Sequence, residues 1–198
     1  MRSVIDELWL GELRPMAAGG VPPGVYVALG PVNLPSWFLC ALCPVLAMGR
    51  QVFWLDAGNR FDVHGASYAA RSLGFDPRPL LARVRLARPF NLFQLETMVR
   101  RRLPDLWRGE PVVLADPFPM FYDEDVPLAE ARRVARSVLE GMRLLPAPWL
   151  VLAVDRPAPK GREGWLGEMI RLAASVATLE PTDKGWRCNH QLGRRPSW

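Results

Sequence analysis

The chain has 198 residues, 49% hydrophobic and 23% charged, which is enough apolar material to bury one sizeable core and makes one domain the economical reading. No uninterrupted apolar run reaches the ~18 residues a membrane span needs, since the longest, Trp37 to Met48, is broken by Pro44 and closed by Gly49. The N-terminal MRSVIDELWLGEL carries acids where an export signal needs an apolar centre, so a cytoplasmic protein is expected.

The net charge of +5 comes almost wholly from arginine, because Lys160 and Lys184 are the only lysines. The planar guanidinium suits phosphate and carboxylate contacts, but a GC-rich genome or a hot habitat produces the same bias, so charge alone assigns no partner.

In chain order, residues 1–24 read as a lead-in ending in Gly19-Gly20-Val21-Pro22-Pro23-Gly24, residues 25–155 as an α/β core, and 156–198 as a loop, a short helix and a closing hairpin. Apolar runs at Val25–Leu29, Val52–Leu55, Val84–Ala87, Val112–Ala115, Leu150–Val154 and Val176–Leu179 read as buried strands. Helical spacing occupies Ser36–Met48, Val63–Leu73, Leu92–Leu103 and Leu128–Leu144. This alternation predicts a mostly parallel, twisted sheet flanked by helices, with Asp183-Lys184-Gly185 turning a terminal hairpin.

Cys40 and Cys43 lie about one helical turn apart in an apolar segment and read as inert core thiols. A metal would need two further ligands, for which only Cys188 and His190 offer themselves, and no metal site is assigned. His64 and His190 lack the neighbours of a nucleophilic triad. Trp37, Trp54 and Trp149 belong to core segments, whereas Trp9, Trp165 and Trp198 sit in less apolar surroundings, where an exposed indole would suggest a protein contact or base stacking.

In a parallel α/β sheet the ligand crevice lies beyond the carboxyl ends of the strands. The segments there are Gly30-Pro-Val-Asn-Leu-Pro35-Ser36-Trp37, Asp56-Ala-Gly58-Asn-Arg60-Phe-Asp62, Asp116 through Asp125, and Asp155-Arg156-Pro-Ala-Pro-Lys160-Gly-Arg162. Taken with Ile5-Asp6-Glu7-Leu8, Val52-Phe-Trp-Leu-Asp56, Leu73-Gly-Phe-Asp76-Pro77, Val84-Arg-Leu-Ala-Arg88-Pro-Phe90-Asn91, Val112-Val-Leu-Ala-Asp116 and the closing Ala173–Leu179 with Gly185-Trp-Arg, the order of landmarks resembles the RecA/RadA recombinase family over Ile5 to Pro196. The resemblance implies a RecA-like phosphate-loop core with a C-terminal β-hairpin.

The departures from that family are chemical. A working phosphate loop reads GxxxxGK[ST], whose glycines let amides wrap phosphate, whose lysine neutralises it and whose hydroxyl holds magnesium. Aligned from Gly30, Pro35 stands at the second glycine, Ser36 at the lysine and Trp37 at the hydroxyl. Gly58 stands where the resemblance places a catalytic glutamate, and Asp116, at the end of the Walker B strand, is the acid that survives. Losing lysine, hydroxyl and glutamate together should abolish phosphoryl transfer, so no catalytic residue and no cofactor is assigned.

The expectation is a catalytically inactive paralogue acting as a protein- or DNA-binding accessory factor in recombination or repair. Its partner would be a RecA-family or other DNA-repair protein, or a further copy of itself. Of the two loops that bind DNA in the family, the segment 122–127 is acidic here. The segment from Arg156 through Lys160 to Arg162 is basic and reads either as a phosphate-tracking loop or as a solvated connection, and Arg194 and Arg195 are further candidates. Arg100, Arg101 and Arg102 end a predicted helix, where positive charge meets the dipole. Arg132, Arg133 and Arg136 form a helix face that is either solvated or turned to an acidic partner. Two competing readings are a nucleotide-binding RecA-fold ATPase with an altered phosphate loop, in which Asp116 holds magnesium, and a RecA-fold scaffold unrelated to DNA.

Overall fold

A computed structural model describes residues 21–183 and 185–192, the side chains at 185, 186, 190 and 192 excepted. The lead-in motif Ile5–Leu8, Gly19, Gly20, Trp9, Lys184, Arg194, Arg195 and Trp198 lie outside the described residues.

The strands are β1 (Gly24–Gly30), β2 (Val52–Asp56), β3 (Val84–Ala87), β4 (Val112–Ala115), β5 (Pro148–Val154), β6 (Ala173–Thr182) and β7 (Gly185–Leu192). The helices are α1 (Leu34–Ala41), α2 (Cys43–Ala47), α3 (Val63–Ser72), α4 (Pro77–Leu81), α5 (Leu92–Thr97), α6 (Leu103–Leu106), α7 (Phe118–Phe121), α8 (Leu128–Leu144) and α9 (Gly164–Leu172), with a π turn over Met98–Arg102 joining α5 to α6.

The seven strands form one sheet in the order β3-β2-β4-β5-β1-β6-β7. Every neighbouring pair is parallel except β6 with β7, which close the sheet as the expected antiparallel hairpin from Thr182 opposite Gly185.

The central strands carry unbroken apolar runs because both of their faces are covered. Phe53, Leu55, Val112, Leu114, Trp149 and Val151 face α8 and α9, against Ala131, Val134, Val138 and Met169. Val52, Trp54, Val113, Leu150 and Leu152 face α1 to α3, against Phe38, Leu39, Val45 and Ala66. Consecutive residues of one strand thus alternate between two cores, as the two-residue period requires.

β3 departs from the buried strand expected of Val84–Ala87. It lies at the sheet edge, where Arg85 and Leu86 are exposed, and Arg85 covers the Phe53 ring at 5.1 Å while pairing with Glu110 at 3.5 Å.

Prolines explain the other differences in the helices. The predicted helix 36–48 begins earlier, with Pro35 in its first turn, and divides at Leu42 so that Pro44 falls in the first turn of α2, where its missing N–H costs nothing. Pro104 lacks the donor that Arg100 would accept in a regular helix, and the backbone ahead of it widens into the π turn. The short α4, capped by Asp76 accepting from Arg78 N at 3.0 Å, and α7 escape the sequence reading because neither completes two turns of apolar period.

Among the described residues no helix is long and apolar enough to cross a membrane. Cys40 and Cys43 are buried free thiols, and burial together with the neighbouring Cys40 pushes Cys43 up to about 11.

Candidate functional site

The carboxyl end of β1 passes into α1 through only Pro31, Val32 and Asn33. Leu34 N donates to Pro31 O at 2.8 Å and Trp37 N to Asn33 O at 3.0 Å, and the two prolines have no amide to offer. A Cβ on Gly30 would stand 3.3 Å from Leu179 Cβ and 3.4 Å from Leu34 Cδ2, so the turn is packed beneath β6. Pro35 is buried, Ser36 Oγ donates to the carbonyl of Arg60 at 3.4 Å, and Trp37 packs half-buried on the α1–α3 core.

The segment after β2 folds over this turn and carries its own charge. Asp56 is fully buried: its Oδ1 accepts from Arg60 N at 2.7 Å, and its Oδ2 from Phe61 N at 3.2 Å and Arg88 Nε at 3.0 Å. The second guanidinium nitrogen of Arg88 reaches the same oxygen at 2.8 Å. Phe61 then meets Trp54 edge to face, with ring centroids 5.6 Å apart, pinning the segment to the core.

Asp116 is equally buried, at the end of β4, with a left-handed backbone (φ 49°). Its Oδ2 accepts from Arg156 Nη2 at 2.5 Å and lies 3.6 Å from Arg60 Nε, while Oδ1 has no hydrogen-bond partner. Burial pushes this carboxyl above its ordinary range, and the guanidinium groups of Arg156 and Arg60 pull it part of the way back.

Gly58 lies directly on this acid. A Cβ at Gly58 would fall 2.5 Å from Asp116 Cβ and 2.7 Å from Oδ2, so any side chain there would have to displace Asp116. The strand ends thus bring together two buried carboxylates and three guanidinium groups, from Arg60, Arg88 and Arg156, in mutual pairing.

Two guanidinium groups already contact Asp116 Oδ2, Oδ1 is buried without a hydrogen-bond partner, and Pro31 and Pro35 withhold two amides from the turn after Gly30. Among the described residues no group of three or more His, Cys, Asp or Glu side chains is placed to hold a metal.

Of the basic loop, Arg156 is turned onto Asp116 and Lys160 is exposed. Arg162 is buried, at 4% exposure, and donates to the carbonyls of Phe121 at 3.2 Å and of Val126. The basic loop is therefore clamped to the acidic segment 122–127 by one guanidinium, and Arg162 has none of the solvent access that a phosphate contact needs.

Trp165, which the sequence places in less apolar surroundings, is a core residue, 4% exposed and 6.3 Å from the Phe121 ring, because α9 turns its apolar side onto the sheet.

Arg60, Arg88 and Asp56 are the site residues that sequence reasoning did not single out. The four-residue step from Asp56 to Arg60 hinted at a local turn, but nothing in the sequence couples Asp56 to Arg88 or Arg156 to Asp116 across 32 and 40 positions. No protein-family model and no curated protein matches the chain.

Proposed function

We propose that this chain is a degenerate RecA/RadA-type paralogue that hydrolyses no nucleotide and acts as a protein- or DNA-binding accessory factor in recombination or repair. The observation that carries the reading is the pairing of the acid at the strand ends with the chain's own arginines. Oδ2 of Asp116 is taken by Arg156 and Arg60, and Gly58 is packed too tightly against the acid to be replaced by a catalytic carboxylate without displacing it. Phosphoryl transfer is almost entirely positioning and charge neutralisation, and neither a lysine nor a hydroxyl is present where the resemblance requires them.

A parallel sheet finished by an antiparallel hairpin agrees with the fold that the resemblance implies. Support for a protein partner comes from the sheet edge. Leu86 on β3 is exposed, and the exit of that strand presents Phe90 at 81% exposure and Phe93. An edge strand with unpaired backbone groups and outward apolar side chains is a template for another chain.

The test combines two assays on the full chain. Phosphate release from ATP, with and without DNA, is expected to equal the buffer blank. A fluorescently labelled sample is expected to bind a purified RecA-type recombinase, with Phe90→Asp weakening that binding at least tenfold. ATP turnover that disappears on Asp116→Ala would overturn the reading in favour of an altered nucleotide site.

A further inference from the structure

The loop that the sequence singles out for nucleic acid spends its guanidinium groups inside the molecule, Arg156 on Asp116 and Arg162 on the carbonyls of Phe121 and Val126. Outward-facing guanidinium groups are concentrated instead on α8. Arg132, Arg136 and Arg143 are exposed and recur at i, i+4 and i+11, which a turn of 100° per residue brings back to one ridge about 16 Å long. With Arg133, Ser137 and Glu140 they line an open groove of about 880 Å³.

Two acids of this face are already matched, and a third, Glu163, accepts from Gly161 N at 2.9 Å and lies where its charge acts on Lys160 and Arg132. Glu140 pairs with Arg100 at 3.5 Å and Glu96 with Arg133 at 3.4 Å. Arg132, Arg136 and Arg143 form no ion pair among the described residues. The Nη2 of Arg132 donates to the carbonyl of Gly161 at 3.4 Å, which sets the exposed Lys160 at the N-terminal end of the same ridge. Close packing holds the neighbouring layer in place: a Cβ on Gly141 would come within 2.8 Å of Val99 Cγ1 and of Arg100 Cδ.

The chemistry of the groove selects the partner. Among the described residues its only apolar lining residue is Ala129, whereas a protein interface needs a desolvated aliphatic or aromatic anchor at its centre. Phosphate needs only charge and forked donors. Among the described residues no aromatic ring lines the groove, and none of them offers a platform on which unpaired bases would stack. Duplex DNA carries one negative charge per ~1.7 Å of axis with both strands counted, so a ridge of this length lies along a stretch carrying on the order of nine phosphates, of which it faces a part.

We propose that the arginine ridge of α8, extended by Lys160, binds the phosphate backbone of double-stranded DNA without reading its sequence. The inference deepens the DNA-binding arm of the function proposed above and rests on it, but it does not depend on the state of the crevice or on the β3 edge.

The test is fluorescence anisotropy of a labelled DNA duplex titrated with the full chain at several salt concentrations. The ridge variant R132A/R136A/R143A is compared with R50A/R71A/R78A, which removes the same charge from exposed positions in the other helical layer. Matching urea midpoints establish that both variants are folded. The expected result is duplex binding by the parent chain. The ridge variant should lose at least tenfold in affinity at low salt, with the slope of log K against log salt shallower by about 2.7. The layer control should keep the parental slope.

Equal loss in both variants would overturn the ridge and leave only net charge. No duplex binding by the parent chain, or ridge-dependent binding of an acidic protein in its place, would overturn the assignment to DNA. Recombinase binding is measured separately through Phe90, so failure of the ridge and failure of the broader reading are distinguishable.

Discussion

The Nη2 of Arg156 lies 2.5 Å from Oδ2 of Asp116, so the first arginine beyond β5 closes over the acid that ends β4. The two residues are 40 positions apart and are brought together only because β4 and β5 are parallel neighbours, with Ala115 beside Leu152. Asp116 thereby becomes the anchor of a charge cluster at the strand ends, and several consequences can be measured.

Removing the Asp116 carboxylate leaves two partly exposed guanidinium groups without their acceptor. Asp116→Ala should lower the free energy of unfolding by about 2 kcal/mol, the worth of a hydrogen bond to a charged group. Asp116→Asn should cost about half as much, since asparagine keeps an acceptor oxygen and tolerates the left-handed backbone that alanine does not. Urea unfolding of the two variants checks the order; equal losses would show that the backbone conformation plays no part.

The same acid sets a pH dependence of definite sign. Its pKa is raised in the folded chain above the ordinary 3.8, so the folded state holds that proton more tightly than the unfolded state. The stabilisation this confers is fully present below 3.8 and is lost as pH rises through the folded value. The stability difference between the parent chain and Asp116→Asn should therefore shrink as pH is raised from below 3.8 and become flat well above it. A difference that grows over that range would reverse the assignment.

Gly58 is packed directly against this acid. Gly58→Ala places a methyl 2.5 Å from Asp116 Cβ and should destabilise the chain by about 1–3 kcal/mol, the range for overpacking a filled interior. Gly58→Glu, which restores a carboxylate to the position where the family resemblance expects one, should yield no ATPase activity and a less stable protein still. Thermal unfolding and phosphate release report on the two statements independently.

The thiols of Cys40 and Cys43 lie within the α1–α2 layer, and burial holds Cys43 at about 11. Iodoacetamide at pH 8 should leave both unmodified in the native protein and label both once urea unfolds it, as peptide mass spectrometry would show. Rapid native labelling of Cys43 would mean that this layer opens easily.

Trp165 fills the core between α9 and Phe121, and its Nε1 has no hydrogen-bond partner. Trp165→Ala should cost about 3–5 kcal/mol, while Trp165→Phe, which gives up only an indole edge with no bond to lose, should be much milder. Equal effects would place the importance of the residue in the nitrogen.

The sheet was legible in the sequence because buried parallel strands are written as short continuous apolar runs; Val84–Ala87 and Val112–Ala115 coincide with β3 and β4, and Leu128–Leu144 with α8. The exposure of β3 was not legible, since an edge strand and a central one share the same residue types and differ only in their neighbours. The departures from a phosphate-loop pattern could be read at Pro35, Ser36 and Trp37, whose chemistry is local. The charge cluster at the strand ends could not, because the pairings of Asp56 with Arg88 and Asp116 with Arg156 exist only after the strands are ordered side by side. The same limit made Arg162 read as a surface cation, when its guanidinium satisfies carbonyls 36 and 41 positions away.

The central claim, that the crevice at the strand ends is closed by Asp116, Arg60 and Arg156, is tested most directly by calorimetric titration of the full chain with ATP and magnesium, repeated with ADP. The account predicts no saturable heat into the millimolar range with either nucleotide. Saturable binding that Asp116→Ala abolishes would contradict it, and would make the turn from Gly30 to Trp37 a working, altered nucleotide site.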